Sequence, residues 1–432
     1  MARKDSSIVT DVTDFASLAL AAPIARAVEK AGYSTPTPIQ ARTIPLVIAG
    51  RDVLGIAQTG TGKTAAFALP ILHRMAGDRR RMAPRTARVL VLAPTRELAG
   101  QIADSFRGYG HFIRAGVALV IGGAPMGAQA RALAHGPDVI VATPGRLLDH
   151  LQSGNVRLDQ VETLVLDEAD HMLDLGFLPS VRKILAHVPK ARQTLFFSAT
   201  MPPAIRTLAD EMLREAAEVA VAPAASTAER VAQSVHLVEQ GSKRALLSHL
   251  LRDAAMARTL VFTRTKHGAD RVVKQLGADG IAAEAIHGNK SQPQRTRALE
   301  AFRQGRTRVL VATDIAARGI DVEAVTHVVQ YDLPDVPETY VHRIGRTARA
   351  GAAGAAIAFC AAEELGNLKD IERAIRQAVP RASLPALPGL VAVADRVATP
   401  APARQPQHRP GTRPARSGFG RPHGAKVRIR AA

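Results

Sequence analysis

Three clusters of side chains have the types and spacing to handle a nucleoside triphosphate. The first is Ala57-Gln58-Thr59-Gly60-Thr61-Gly62-Lys63-Thr64. Its glycines let successive backbone N–H groups wrap an anion, and a helix opening at the loop adds positive potential. Lys63 can reach the outer phosphates, and the Thr64 hydroxyl suits a magnesium ion. Ala57 stands where the strict phosphate-loop pattern has its first glycine. The second cluster is Asp167-Glu168, which closes an apolar run. Asp167 would hold the metal, directly or through water, and Glu168 would orient or deprotonate the attacking water. Alone, this pair could equally be a helix N-cap; the phosphate loop tips the reading. The third is His342-Arg343-Ile344-Gly345-Arg346-Thr347-Ala348-Arg349. Arg346 and Arg349, three apart, share a face if helical and could neutralise charge on a transferring phosphoryl group. Without the other two clusters this run would read as a solvated basic helix face.

Residues with these duties need a frame that places them together. Short β-branched runs alternate with amphipathic stretches in both halves of the chain. The first half has runs at 52–56, 89–92, 118–121, 139–141, 164–166 and 195–197, and the second at 235–238, 260–262, 309–311, 328–329 and 356–359. Continuous apolar runs suit strands covered on both faces, hence parallel sheets with helical crossovers. The expected fold class is α/β, with two tandem lobes. Ligands of open parallel sheets sit at the carboxyl ends of strands, and the polar clusters fall there: the phosphate loop, Pro94-Thr95-Arg96-Glu97, Thr143-Pro144-Gly145-Arg146, Asp167-Glu168-Ala169-Asp170, Ser198-Ala199-Thr200, Thr263-Arg264, Thr313-Asp314 and the His342 segment. The expected division is an extension at 1–13, lobe one at 14–220, a linker at 221–233, lobe two at 234–380 and a disordered Arg/Pro-rich tail at 381–432, whose composition cannot bury enough surface to order itself.

Composition narrows the class further. The 432 residues carry a formal charge of +19, which argues for a polyanionic partner. Nine basic residues and no acid lie from Arg396 onward; taking those nine from +19 leaves +10 on residues 1–395. Only 3% of residues are aromatic and none is Trp, which disfavours base-stacking platforms and favours a backbone clamp. The lone Cys360 lies in an apolar run and excludes a disulfide framework. With a polar N-terminus and no long apolar run, a cytoplasmic location is expected.

Taken in order, these motifs resemble the DEAD-box RNA helicases of superfamily 2 over about residues 14–378, and within them the bacterial RhlE-like subgroup through Thr263-Arg264-Thr265-Lys266-His267-Gly268-Ala269 and Ile286-His287-Gly288-Asn289-Lys290-Ser291-Gln292. The resemblance implies RecA-like lobes, ATP with Mg²⁺, and ATP-driven closure that pries short RNA duplexes apart. It implies an adenine-reading segment at 13–41, with Phe15 stacking on the base, Tyr33 nearby and the Gln40 amide selecting adenine. It further implies nucleotide contacts from Gln58, Thr59, Gly60, Thr61, Gly62, Lys63, Thr64, Gly319 and Asp321. Ser198, Thr200 and His342 would join Lys63, Asp167, Glu168, Arg346 and Arg349 in coupling and hydrolysis. RNA contacts, mainly to phosphate and sugar, would come from Pro94, Thr95, Arg96, Gly122, Gly123, Thr143, Pro144, Gly145, Arg146, Arg264, Thr313 and Asp314. The chain is expected to act as a monomer on single strands and short duplexes, and ribosomal or RNA-degradation partners are compatible with the resemblance. An ATP-gated RNA clamp stays open as a second reading, while Gln40 and Asp167-Glu168-Ala169-Asp170 argue against a third, a DNA-translocating helicase of the same superfamily. The family usually has Gly where this chain has Ala348; as a small, good helix former, Ala348 is expected to matter little. Gly418-Phe419-Gly420, set among arginines, marks the tail as either an RNA-binding extension or a solubilising one.

Overall fold

The computed structural model describes residues 14–58, 60–78, 80–221, 231–317, 324–348 and 354–393, without the side chains of Ile315 and Ala317. Seven short apolar runs make the first sheet: β1 (Val53–Ile56), β2 (Val89–Leu92), β3 (Val117–Val120), β4 (Val139–Ala142), β5 (Thr163–Leu166), β6 (Gln193–Ser198) and β7 (Ala217–Ala220), in the order β3-β4-β2-β5-β6-β1-β7. The second sheet has β8 (Val231–Leu237), β9 (Thr259–Phe262), β10 (Ala283–Ile286), β11 (Val309–Ala312), β12 (His327–Gln330) and β13 (Gly354–Cys360), in the order β10-β11-β9-β12-β13-β8. Every pairing in both sheets is parallel. Counted from each lobe's first strand, the two orders are the same, with β7 added at one edge of the first. These are two RecA-like lobes.

The alternation of side chains along a strand explains why the runs are apolar throughout. Val53, Val89, Val91, Val165 and Phe197 pack into one core layer, while Leu54, Leu90, Leu92, Leu166 and Phe196 pack into the layer on the opposite face. In lobe two, Val261, Val309, Val311 and Val329 face one way, and Leu260, Phe262, Leu310 and Val328 the other. Gly55 is needed where it stands, because a Cβ there would run into the ring of Phe197 on the neighbouring strand.

The structure departs from the sequence reading at edges and ends. β7 (Ala-Glu-Val-Ala) and β10 (Ala-Glu-Ala-Ile) were not anticipated. Each is an edge strand with one face partly exposed, so it carries Ala and Glu instead of a β-branched run. The segment read as a linker ends early, since Val231, Ala232 and Gln233 already pair with β13. Residues 222–230 of that segment, the 1–13 extension and residues 394–432, including Gly418-Phe419-Gly420, lie outside the described residues. Residues 381–393, assigned to a disordered tail, are instead built onto lobe two. Ala382 N–H donates to Val235 O (2.9 Å), Glu239 N–H to Val391 O (3.0 Å) and the Ser242 hydroxyl to Gly389 O (3.0 Å). Leu384 and Leu390 lean on the core and Val393 is buried. Few apolar residues, spaced irregularly among prolines, suffice because β8 offers unpaired backbone.

Two truncations should therefore behave differently. Ending the chain at Pro380 removes this strap and should lower unfolding stability by about 2–3 kcal/mol, given the apolar burial lost. Ending it at Ala394 should leave the urea midpoint unchanged.

Candidate active site

The loop after β1 turns at two left-handed glycines, Gly60 (φ 84°) and Gly62 (φ 90°), and runs straight into the helix Lys63–Gly77. A Cβ on Gly62 would strike Gln40 Nε2, so only glycine fits. Lys63 is buried; its Nζ donates to Ala57 O (3.1 Å) and stands 3.9 Å from Asp167 Oδ1.

Gln40 braces this loop from the start of the helix Pro38–Ile48. Its Oε1 accepts from Thr37 N–H (2.9 Å) and its Nε2 donates to Gly62 O (3.2 Å), while Thr37 Oγ1 donates to Thr61 O (2.8 Å). One amide hydrogen and one lone pair of Gln40 remain beyond these bonds, enough for an adenine edge. Phe15, expected to stack on the base, is 8% exposed and its own ring stacks on Tyr33 at 6.0 Å. Tyr33 is 41% exposed and shares a 3.0 Å hydrogen bond with the Tyr109 hydroxyl. The outward aromatic surface is therefore Tyr33's, because Phe15 serves the core.

Asp167 and Glu168 follow β5, both nearly inaccessible. Burial pushes the Asp167 carboxyl up, against the pull of Lys63. Asp167 Oδ1 has no hydrogen-bond partner, which an acid meant for a hard cation would leave open. Among the described residues no group of three or more His, Cys, Asp or Glu could cage a metal. Those facts fit Mg²⁺, which typically keeps waters and leans on one or two protein oxygens plus substrate phosphate. Glu168, with backbone φ 54°, is the N-cap of Ala169–Asp174. Burial would raise its carboxyl, but the His171 hydrogen bond outweighs it, together with the charges of His171, Lys63 and Arg346, and holds Glu168 below the usual carboxylate range. His171 Nδ1 lies 2.8 Å from Glu168 Oε2.

Ser198 and Thr200 serve Asp170. Asp170 Oδ2 accepts from Thr200 N–H (2.9 Å) and Oγ1 (3.0 Å), while Ser198 Oγ accepts from Asp170 N–H (3.2 Å) and donates to Thr200 O (2.7 Å). These two residues, grouped with the catalytic set, tie the ends of β5 and β6 together.

From lobe two, Arg346 is 6% exposed, and its charge adds to those that lower the Glu168 carboxyl. The His342 ring meets that of His171 edge-on at 5.4 Å. Glu97 and Arg295 form a buried ion pair between lobes (2.7 Å), flanked by Arg96 to Gln292 (3.3 Å) and Gln292 to Glu97 (3.4 Å). Ala348 departs from expectation. It sits at φ 54°, in the left-handed region rather than a helix, where a Cβ costs about 1 kcal/mol and Gly does not. Thr59, Gly319, Asp321 and Arg349 lie outside the described residues.

The residues expected on RNA gather at strand ends. Thr95 caps Arg96–Tyr109 by accepting from Leu98 N–H (3.2 Å), Pro144 opens Pro144–Gln152 after Thr143, and Arg146 donates to Ala124 O (2.8 Å). Gly122 and Gly123 pass so close to the Arg96 guanidinium that a Cβ on Gly123 would hit it. Gly145 lies in the first turn of Pro144–Gln152 and Thr313 just after β11. Two of the set are internally engaged: both Asp314 oxygens accept from Arg343 (2.6 and 2.8 Å), and Arg264 donates to Glu364 (3.0 Å) and Leu333 O (3.1 Å). His171 and Arg295 were not anticipated as site residues, and Glu97 and Arg343, though inside clusters the sequence singles out, were given no role of their own. The Gln292–Arg295 spacing, one turn apart on a helix, was the available signal.

Comparison with known proteins agrees with this geometry. Residues 37–208 match the DEAD/DEAH box helicase family and 242–351 the helicase conserved C-terminal domain. The DEAD-box ATP-dependent RNA helicase CshA of Geobacillus kaustophilus is 43% identical over 87% of this chain and 79% of its own length. Dbp5 of S. cerevisiae bound to RNA and ADP BeF3 superposes with TM-score 0.76 at 30% identity, covering 86% of this chain and 95% of that one. A Dbp5 variant bound to Nup159, a Gle1 variant, IP6 and ADP gives 0.58 at 29% identity, over 84% and 95%.

Replacing Gln40 by Ala removes its bond to Gly62 O and leaves Thr37 as the other brace on the phosphate loop. At about 1 kcal/mol for the lost bond, ATP affinity should fall by roughly fivefold in a fluorescent-nucleotide titration.

Proposed function

We propose, from the premise that this chain belongs to the DEAD-box family of ATP-dependent RNA helicases, that ATP and RNA together draw its two lobes shut and that hydrolysis lets them part. The observation that carries this reading is the buried ion pair between Glu97 of lobe one and Arg295 of lobe two, at 2.7 Å, beside the His171–His342 ring contact. The higher TM-score to Dbp5 with RNA and ADP BeF3 than to the Dbp5 variant with ADP and its protein partners supports the same reading.

In this reading the loop amides and Lys63 cradle the phosphates, Lys63 leaving Ala57 O to do so. Gln40 ties base recognition to loop shape through Gly62. Thr64 and Asp167 would hold Mg²⁺, which supplies charge neutralisation at the phosphates. Glu168, kept ionised by His171 and its cationic neighbours, accepts the proton of the attacking water. Arg346 stabilises the charge that develops as the γ-phosphoryl group transfers, a role worth roughly 10³–10⁵ in rate for arginine fingers, and Arg349 joins it. Ser198 and Thr200, anchored to Asp170, pass the state of the hydrolytic turn to β6.

Arg96, Arg146 and the Gly122–Gly123 turn of lobe one, with Thr313 of lobe two, line the RNA backbone; contacts of that kind fix a strand without reading its sequence. A strand bent across both lobes leaves A-form geometry, so short duplexes open locally. The internal pairing of Asp314 and Arg264 makes them supports for the RNA surface. An assembly clamp is the second reading, and strand release after ATP addition separates the two. The finer likeness to the RhlE-like subgroup rests on residues 263–269 and 286–292 alone.

Glu168→Gln should retain ATP and RNA binding yet lower RNA-stimulated turnover by about 10²-fold or more; steady-state phosphate release and a filter-binding assay read the two effects. Arg295→Met leaves Glu97 buried without its partner whenever the lobes meet. RNA binding in the presence of a non-hydrolysable ATP analogue should therefore weaken about tenfold or more, while open lobes keep Glu97 in water.

A further inference from the structure

We propose that His171 is the positioning residue for Glu168, and that the second lobe completes its setting through His342. The proposal rests on the reading of Glu168 as the water-activating base. His171 lies three residues after Glu168, one turn into Ala169–Asp174, and is 3% exposed. An ionised carboxylate only accepts hydrogen bonds, so at 2.8 Å His171 Nδ1 carries the proton and donates it to Glu168 Oε2. That bond fixes the plane of a carboxylate whose backbone, at φ 54°, is outside the ordinary helix-entry conformation.

An imidazole held at one atom alone can still swing, because χ2 of His is a broad torsion. The second restraint is the His342 ring, 5.4 Å away at 78°, an edge-to-face contact supplied from Pro337–Ile344 of lobe two. The His171 main chain is fixed independently: its N–H donates to Asp170 Oδ1 (3.1 Å), and Asp170 is held by Thr200. The ring is thus pinned on two sides only while the lobes are together, and the base takes its working orientation in that state. Closure then does more than deliver Arg346; it also sets the carboxylate that Arg346 faces.

The test compares steady-state ATPase, saturated with RNA, for the full chain and for His171→Ala, His171→Gln, His342→Ala, the double His171→Ala/His342→Ala and Glu168→Gln. Losing the orienting partner forfeits part of the roughly 10²–10⁴-fold that a base contributes, so His171→Ala should lower kcat about tenfold with the KM for ATP within about twofold. His171→Gln, which keeps an N–H donor, should recover at least half of kcat. The double variant should lose no more than the worse single one, since both act through one ring. An unchanged kcat in His171→Ala, alongside a stalled Glu168→Gln, overturns the positioning role and leaves the base assignment standing. Losses that multiply in the double variant overturn the link through His342. Fast turnover in Glu168→Gln overturns the base reading itself. Because His342→Ala leaves the lobe-one turn intact, a folding defect in His171→Ala does not decide the outcome.

Discussion

Two neighbouring carboxylates, Asp167 and Glu168, are buried side by side at the end of β5, and the site is arranged around the need to compensate them. Two like charges out of water cannot both stay ionised unless cations face them. The structure divides the labour: Asp167 is drawn upward by burial and left with an unpartnered oxygen, while Glu168 is held downward by His171, Lys63 and Arg346. Of those three helpers, Arg346 belongs to the other lobe. The electrostatic balance at a lobe-one acid therefore includes a charge from lobe two.

The contacts between lobes are of a matching kind. Glu97–Arg295, Arg96–Gln292 and the His171–His342 pair are polar or amphipathic, and among the described residues each apolar core cluster stays within one lobe. Such groups are well solvated when apart, so separation costs far less than exposing a hydrophobic interface would. Good geometry holds them when together. A joint of this type suits the opening and closing proposed above, and the apolar layers described lie in the interior of each lobe.

Much of this was legible in the sequence, for identifiable reasons. Parallel strands buried on both faces betray themselves as unbroken apolar runs, and their carboxyl ends locate the polar clusters, so the frame and the nucleotide loop were readable. β7 and β10 were not, because an edge strand has less to bury. The strap at 381–393 was hidden by its prolines; what orders it is unpaired backbone on β8, which no composition records. The resemblance assigned Phe15 to the base and Asp314 to RNA, and it gave no sign of the packing of Phe15 on Tyr33 or of the two-pronged bond from Arg343 to Asp314. Ala348 was judged by helix preference, whereas its backbone is left-handed. Partners far apart in the chain, such as Glu97 with Arg295, leave no local pattern.

The shared strand order has a further consequence. Because all strands of a lobe run the same way, every carboxyl-end loop opens at one rim and every amino-end loop at the opposite one. The first rim is crowded with chemistry and tolerates little change. Among the described residues, Lys63, Asp167-Glu168, Ser198-Thr200 and Thr313-Asp314 all lie at or after strand carboxyl ends at the first rim. A substitution at the opposite rim is kept from those side chains by the length of a strand, about 13 Å for four residues.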